Sequence, residues 1–213
     1  MKLYHSIWLI FFLLVLIFLI PTLGYFQSGI PEYLNRTSFL SRFWFVAHII
    51  SGLLVFALAP FQFSAAYRNR NYANHRRVGK FYIVLSLVCI LTLFISIVPK
   101  GLCESCKISQ YMVTTLWLIF IMAAYISIIN KRITLHKRLM ISAFICAAYF
   151  VTVRIISLTS MGFFNYLTKN ESQAYFISDL AVWLVPLTII WINWLFQNLK
   201  EKNSAARAIQ NKN

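Results

Sequence analysis

With 213 residues, 60% of them hydrophobic and only 12% charged, the chain lies far from a soluble domain, in which about a quarter of residues carry charge. Its net charge of +15 does not point to nucleic acid, because the basic residues fall in short loops between apolar runs, where they orient a membrane protein and meet anionic headgroups. Five acidic residues in the whole chain leave almost no room for paired-carboxylate chemistry.

Six apolar runs follow one another, near 7–24, 42–64, 77–99, 110–129, 136–158 and 175–198. Each approaches or exceeds the roughly 20 residues that a helix needs to cross a bilayer. Continuous apolarity, rather than alternation, selects helices over barrel strands. The expected fold is all-α, a polytopic transmembrane bundle of about six spans in a single integral membrane domain covering 1–213. A short basic tail occupies 199–213. The first run follows Lys2 and His5 and has the core of a signal peptide. No small-x-small cleavage site succeeds it at Pro21-Thr22-Leu23-Gly24, so it reads as a retained span.

The expected loop at 65–80 holds Arg68, Arg70, Arg76, Arg77 and Lys80, and the one at 130–138 holds Lys131, Arg132, Lys137 and Arg138. Lys200, Lys202, Arg207 and Lys212 lie in the tail. The opposite loops hold fewer cations: Arg36, Arg42, Lys100, Lys107 and Lys169. The positive-inside rule then puts both termini in the cytoplasm, with the basic loops against anionic headgroups there.

Four runs carry stripes of small and polar residues. They read His48, Gly52, Val55, Ala59, Gln62 in the second and His75, Gly79, Tyr82, Ser86, Cys89 in the third. The fifth reads His136, Met140, Ala143, Ala147, Arg154, and the sixth Asp179, Trp183, Pro186, Ile190, Asn193. Spacings of three and four keep each stripe on one helix face, and such faces belong at helix–helix contacts.

His48, Arg154 and Asp179 are ionisable residues inside these runs, which by default marks a site. Arg154 stands eighteen residues beyond His136 on the same helix face, about 27 Å away along the axis. All three therefore share one level in the outer half. An Arg154–Asp179 pair beside the His48 imidazole is expected, as a structural ion pair or as a working site. A second polar layer gathers at the cytoplasmic face, where His75-Arg76-Arg77 and His136-Lys137-Arg138 open helices and Gln62 ends one. Imidazoles at a helix N-terminus are suited to act as ligands, and the adjacent cations to hold an anionic group. Headgroup anchoring explains the same residues more simply.

The ordered set His48-x-x-x-Gly52, Pro60-x-Gln62-Phe63, Arg68-x-Arg70, His75-Arg76-x-x-Gly79-x-x-Tyr82, Trp117, His136-x-Arg138-x-Met140 and Val153-Arg154 resembles a bacterial family of predicted membrane proteins catalogued as domain of unknown function 2306. The resemblance covers about residues 45 to 155. Lys80 stands where an arginine is expected, and the loop between the fourth and fifth runs lacks the acidic residue expected before His136. It implies a multi-pass protein of the bacterial inner membrane and groups His48, His75, His136 and Arg154. It implies no particular activity.

Cys103-x-x-Cys106 lies in an outer loop, where such a pair forms a disulfide, exchanges electrons or binds metal. Zinc would need two further ligands that the neighbourhood lacks, so no metal site is expected. Phosphate-binding loops, HExxH and nucleophile-elbow patterns are absent. Three function classes remain open. One is an accessory or assembly protein, serving a membrane-protein partner, whose His/Arg groups mainly specify packing. Another is a redox protein holding haem b or a quinone through His75 and His136, with Arg76, Arg77 and Arg138 on its anionic groups. A third is a small proton-coupled transporter working through His48, Arg154 and Asp179.

Overall fold

A computed structural model of the chain describes residues 36–210, apart from the side chains at 158 and 205–210, and the isolated positions 9, 13, 15, 16, 24, 29, 30 and 34. The predicted first span, 7–24, falls outside the described residues except at such isolated positions. The rest is helical. α1 is Phe39–Phe63 and α2 is Ala65–Arg70; α3 is Tyr72–Thr92 and runs on into a π turn, Leu93–Ile97. Then come α4 Lys107–Ile129, α5 Ile133–Thr159, α6 Met161–Thr168 and α7 Glu171–Gln210.

Five of these, α1, α3, α4, α5 and α7, are long and apolar enough to cross a membrane. They coincide with the second to sixth predicted spans, but each begins a few residues earlier. In α3 and α7 the early residues form polar first turns, Tyr72 to Arg76 and Glu171 to Gln173, which hydropathy cannot see. Ser38 caps α1 by accepting from the Ser41 amide at 3.3 Å. Ser64 closes α1 through its own amide to the Pro60 carbonyl (3.0 Å) and opens α2 by accepting from the Tyr67 amide at 3.1 Å. The stretch expected as a loop at 65–80 is thus a short helix followed by the start of α3. The expected tail is likewise not a separate segment. α7 continues through it to Gln210, a single helix of 40 residues and about 60 Å.

α1 packs along α3, α4 along α5, and α5 and α6 against α7. The α1–α3 seam is antiparallel, and the two predicted stripes face each other along it. Val55 and Ala59 are fully buried opposite a helix whose Tyr82 and Ser86 are also fully buried. At one end of the seam Gly52 leaves its Cβ direction 3.7 Å from the Cys89 sulfur; at the other, a Cβ on Gly79 would stand 3.0 Å from the Gln62 Oε1. Small residues here let two helices approach, as expected in lipid. α5 buries two faces. Met140, Ala143 and Ala147 form the predicted one, and Ser142, Cys146 and Tyr149 form a second. The sixth predicted stripe holds only in part: Asp179 and Trp183 are buried, whereas Asn193 is exposed. There the inward contact passes to Trp191, whose indole donates to the Ser142 hydroxyl at 3.0 Å. Outward faces such as Ile119, Met122 and Ile126 on α4 are exposed and apolar, as a lipid-facing surface requires.

The turn between α4 and α5 reverses the chain at Lys131, which adopts a left-handed φ of 59°. The Arg132 amide reaches back to the Ser127 carbonyl (2.8 Å) and the Lys131 amide to Ile128 (3.1 Å). This is the two-bond closure normally built on glycine. The end of the bundle carrying this turn and α2 is the basic end. The loop 98–106 lies at the other, where Cys103 and Cys106 are joined by a disulfide.

Candidate functional site

At the disulfide end the bundle has a half-open cavity of about 590 Å³. His48 reaches it from α1, Arg154 from α5 and Asp179 from α7, so three helices bring the three intramembrane ionisable residues to one space. Gly52, Phe56, Phe150 and Val153 supply apolar wall. Arg36, Lys100, Gln110, Tyr149 and the two bridged cysteines, Cys103 and Cys106, belong to the polar part of the lining.

His48 is fixed by α3. Its Nδ1 lies 3.1 Å from the Thr92 hydroxyl and 3.5 Å from the Cys89 sulfur. The Thr92 hydroxyl already donates to the Cys89 carbonyl at 2.6 Å, so its oxygen is left to accept from His48. That assigns the proton to Nδ1 and leaves the Nε2 lone pair to serve the cavity.

Asp179 is 2% exposed, and its Oδ1 accepts from the Tyr149 hydroxyl at 2.6 Å. Its other oxygen has no hydrogen-bond partner among the described residues. The expected Arg154–Asp179 pair is therefore corrected: both residues line the cavity, but the carboxylate takes its hydrogen bond from Tyr149. A tyrosine on the second buried face of α5 wins because that face, and not the one bearing Arg154, is packed against α7. The regular spacing of Ser142, Cys146 and Tyr149 is the sequence signal that carries it.

Arg36 is the residue that sequence reasoning placed merely in a loop. It is 6% exposed, and its Nη1 donates to both the carbonyl (2.9 Å) and the hydroxyl (2.8 Å) of Ser96, with its guanidinium 5.6 Å from the Phe45 ring centre. Ser96 lies in the π turn, where the Val98 amide bonds back to Leu93 rather than Phe94, and its carbonyl also accepts from the Lys100 amide at 3.3 Å. Burial lowers the guanidinium from its ordinary value, and an arginine still keeps its charge at physiological pH. No pattern in the sequence distinguishes Arg36 from the other outer-loop cations.

The basic-end residues form a second, looser group. The His136 Nδ1 lies 2.9 Å from the Ala124 carbonyl, so it donates there and Nε2 holds the lone pair. The His75 Nδ1 is buried without a hydrogen-bond partner among the described residues. Gln62 donates to the His75 carbonyl at 3.4 Å, which joins α1 to α3. Arg138 does not turn toward the histidines. It donates to the Asn198 Oδ1 at 2.9 Å and stacks over Trp194, 5.5 Å from the ring centre. Arg77 leans on Asn74 at 3.4 Å and Arg76 is exposed. Among the described residues no three His, Cys, Asp or Glu side chains gather as metal ligands.

Over residues 45–194, well over half its length, the chain matches the family described as Predicted membrane protein (DUF2306). The match takes in α7 as far as Trp194, and so reaches beyond the stretch on which the resemblance rests. No curated protein and no solved structure matches the chain.

Proposed function

The chain belongs to the DUF2306 family of predicted membrane proteins, and within that frame we propose that it is a small proton-coupled carrier whose cavity at the disulfide end binds a small organic anion with an apolar body. The observation that carries this reading is the convergence of His48, Arg154 and Asp179, from three separate helices, on one cavity of about 590 Å³. That size suits a small-molecule ligand. Arg36, Lys100 and Arg154 outnumber the single carboxylate among the described lining residues, and beside low-dielectric walls an excess of cations favours an anion. The Nε2 lone pair of His48 and the half-satisfied Asp179 are the groups that can take up and release a proton beside it.

An accessory role, in which polar groups only specify packing, accounts for these residues less well. Packing groups satisfy one another and close the space between helices, whereas here they surround a cavity. The haem reading is also weakened, because Arg138, which would hold an anionic group of the cofactor, is engaged with Asn198 and Trp194. A bacterial inner-membrane location fits this role, with the basic loops and both termini in the cytoplasm.

Benzenesulfonate and phenylphosphonate, anions that cross lipid poorly by themselves, test the proposal. Each should raise the melting temperature of the purified protein, with benzyl alcohol inert, and Arg154→Gln should abolish the rise. In proteoliposomes loaded with the dye pyranine, added benzenesulfonate should acidify the lumen. No thermal response to either anion at millimolar concentration sinks the reading.

A further inference from the structure

One face of α3 and its π turn carries Tyr82, Ser86, Cys89, Thr92 and Ser96, every one of them buried, with half-buried His75 at the basic end. Small and polar residues suit helix–helix contacts in lipid, where they bond across the seam, so hydroxyls buried in a seam without a partner ask for a reason. Several of these groups have nothing to bond. The Tyr82 hydroxyl, the Ser86 hydroxyl and the His75 Nδ1 lack hydrogen-bond partners among the described residues, as does the indole N–H of Trp117 on neighbouring α4. Buried polar atoms in native proteins are almost always paired, and where side chains do not pair them ordered water does.

We infer that this face holds a file of water molecules and forms the proton route between His48 at the cavity and His75 at the basic end. It deepens the carrier reading by naming where its protons go. Residues three or four apart on a helix are about 5–6 Å apart at Cβ, a gap that one water bridges between two hydroxyls. The longest step, from His75 to Tyr82, passes Gly79, and there the Gln62 amide fills the missing side-chain position. From residue 75 to 92 the file covers about 25 Å, most of the hydrocarbon thickness of a bilayer.

The chemistry of each member suits relay. A serine or tyrosine hydroxyl accepts one proton while giving up another, so no net charge remains on it. At the cavity, a proton arriving on the His48 Nε2 releases the one on Nδ1 to the Thr92 oxygen, 3.1 Å away, and the Thr92 hydroxyl turns from the Cys89 carbonyl to give its own proton to a water of the file. Trp117 can only donate, so it anchors a water without passing a proton.

Two measurements on the full chain test this. In the first, X-ray radiolytic labelling, which oxidises buried side chains beside bound water, should modify Trp117 and Tyr82 faster than Trp183. That tryptophan is equally buried, but its indole bonds directly to Ser109 at 2.9 Å. Equal labelling of Trp117 and Trp183 overturns the water file. In the second, pyranine-loaded proteoliposomes receive a pH step under a potassium–valinomycin clamp, with no anion present. Wild type should equilibrate faster than empty vesicles, and Tyr82→Phe and Ser86→Ala should slow it by about tenfold or more, the lower range for losing a proton-transfer group. Rates equal to wild type in both variants, or wild type equal to empty vesicles, overturn the route. Benzenesulfonate binding is scored separately by melting temperature, so loss of the anion site and loss of the proton route give different results.

Discussion

Tyr149 donates its hydroxyl to Asp179 across 2.6 Å, and this bond joins α5 to α7 at the level of the cavity. The Ser109 and Gln110 side chains also reach that carboxylate, more loosely, and its second oxygen has no close partner among the described residues. Tyr149→Phe should therefore cost the buried carboxylate its shortest hydrogen bond and destabilise the protein by about 1.5–3 kcal/mol, the range for hydrogen bonds to charged groups. Asp179→Asn in the Tyr149→Phe background should recover part of that. A double-mutant cycle read from unfolding in detergent checks it, and additive effects of the two changes would contradict the pairing.

Gly79 and Gln62 should be coupled in the same way. A Cβ at position 79 would stand 3.0 Å from the Gln62 Oε1, so Gly79→Ala alone has to push the amide aside. The alanine otherwise favours the helix by about 1 kcal/mol. Gly79→Ala should thus gain about that much in a Gln62→Ala background and less, or nothing, in wild type, as melting temperatures of the four proteins will show.

Lys131 closes α4 in a left-handed conformation at a φ of 59°. A side chain there costs about 1–2 kcal/mol relative to glycine. Lys131→Gly should keep the closing bonds to Ser127 and Ile128 and raise stability by about 1 kcal/mol, less the backbone entropy that glycine brings. A lowered melting temperature would count against this account of the turn.

The Cys103–Cys106 disulfide pins the loop whose residues roof the cavity. A bridge closing so short a loop contributes about 2 kcal/mol by chain entropy. Reduction by dithiothreitol should lower the melting temperature accordingly, and the Cys103→Ser, Cys106→Ser double variant should match the reduced protein and no longer respond to reductant. Cys89 and Cys146, both buried and unbridged, should contribute nothing to the response.

The second to sixth spans, the small-residue stripes of α1 and α3 and the shared depth of His48, Arg154 and Asp179 were legible in the sequence. They follow from quantities that a linear chain carries: hydropathy over about 20 residues, a 3.6-residue period and a rise of 1.5 Å per residue. The starts of α3 and α7 were misread by a few residues because polar first turns look like loops. The partner of Asp179 was misread for a different reason. Periodicity shows that α5 has polar residues on two faces, but not which face α7 will cover.

What the sequence determined by itself is therefore a membrane-embedded helical bundle with ionisable groups at two levels. Only the tertiary structure decided that Arg36 enters the cavity and bonds Ser96, and that Tyr149 rather than Arg154 bonds Asp179. Those outcomes depend on the rotation of each helix about its axis and on which neighbours it meets, relations between segments up to 60 residues apart. Local pattern sets which faces are polar; packing chooses their partners.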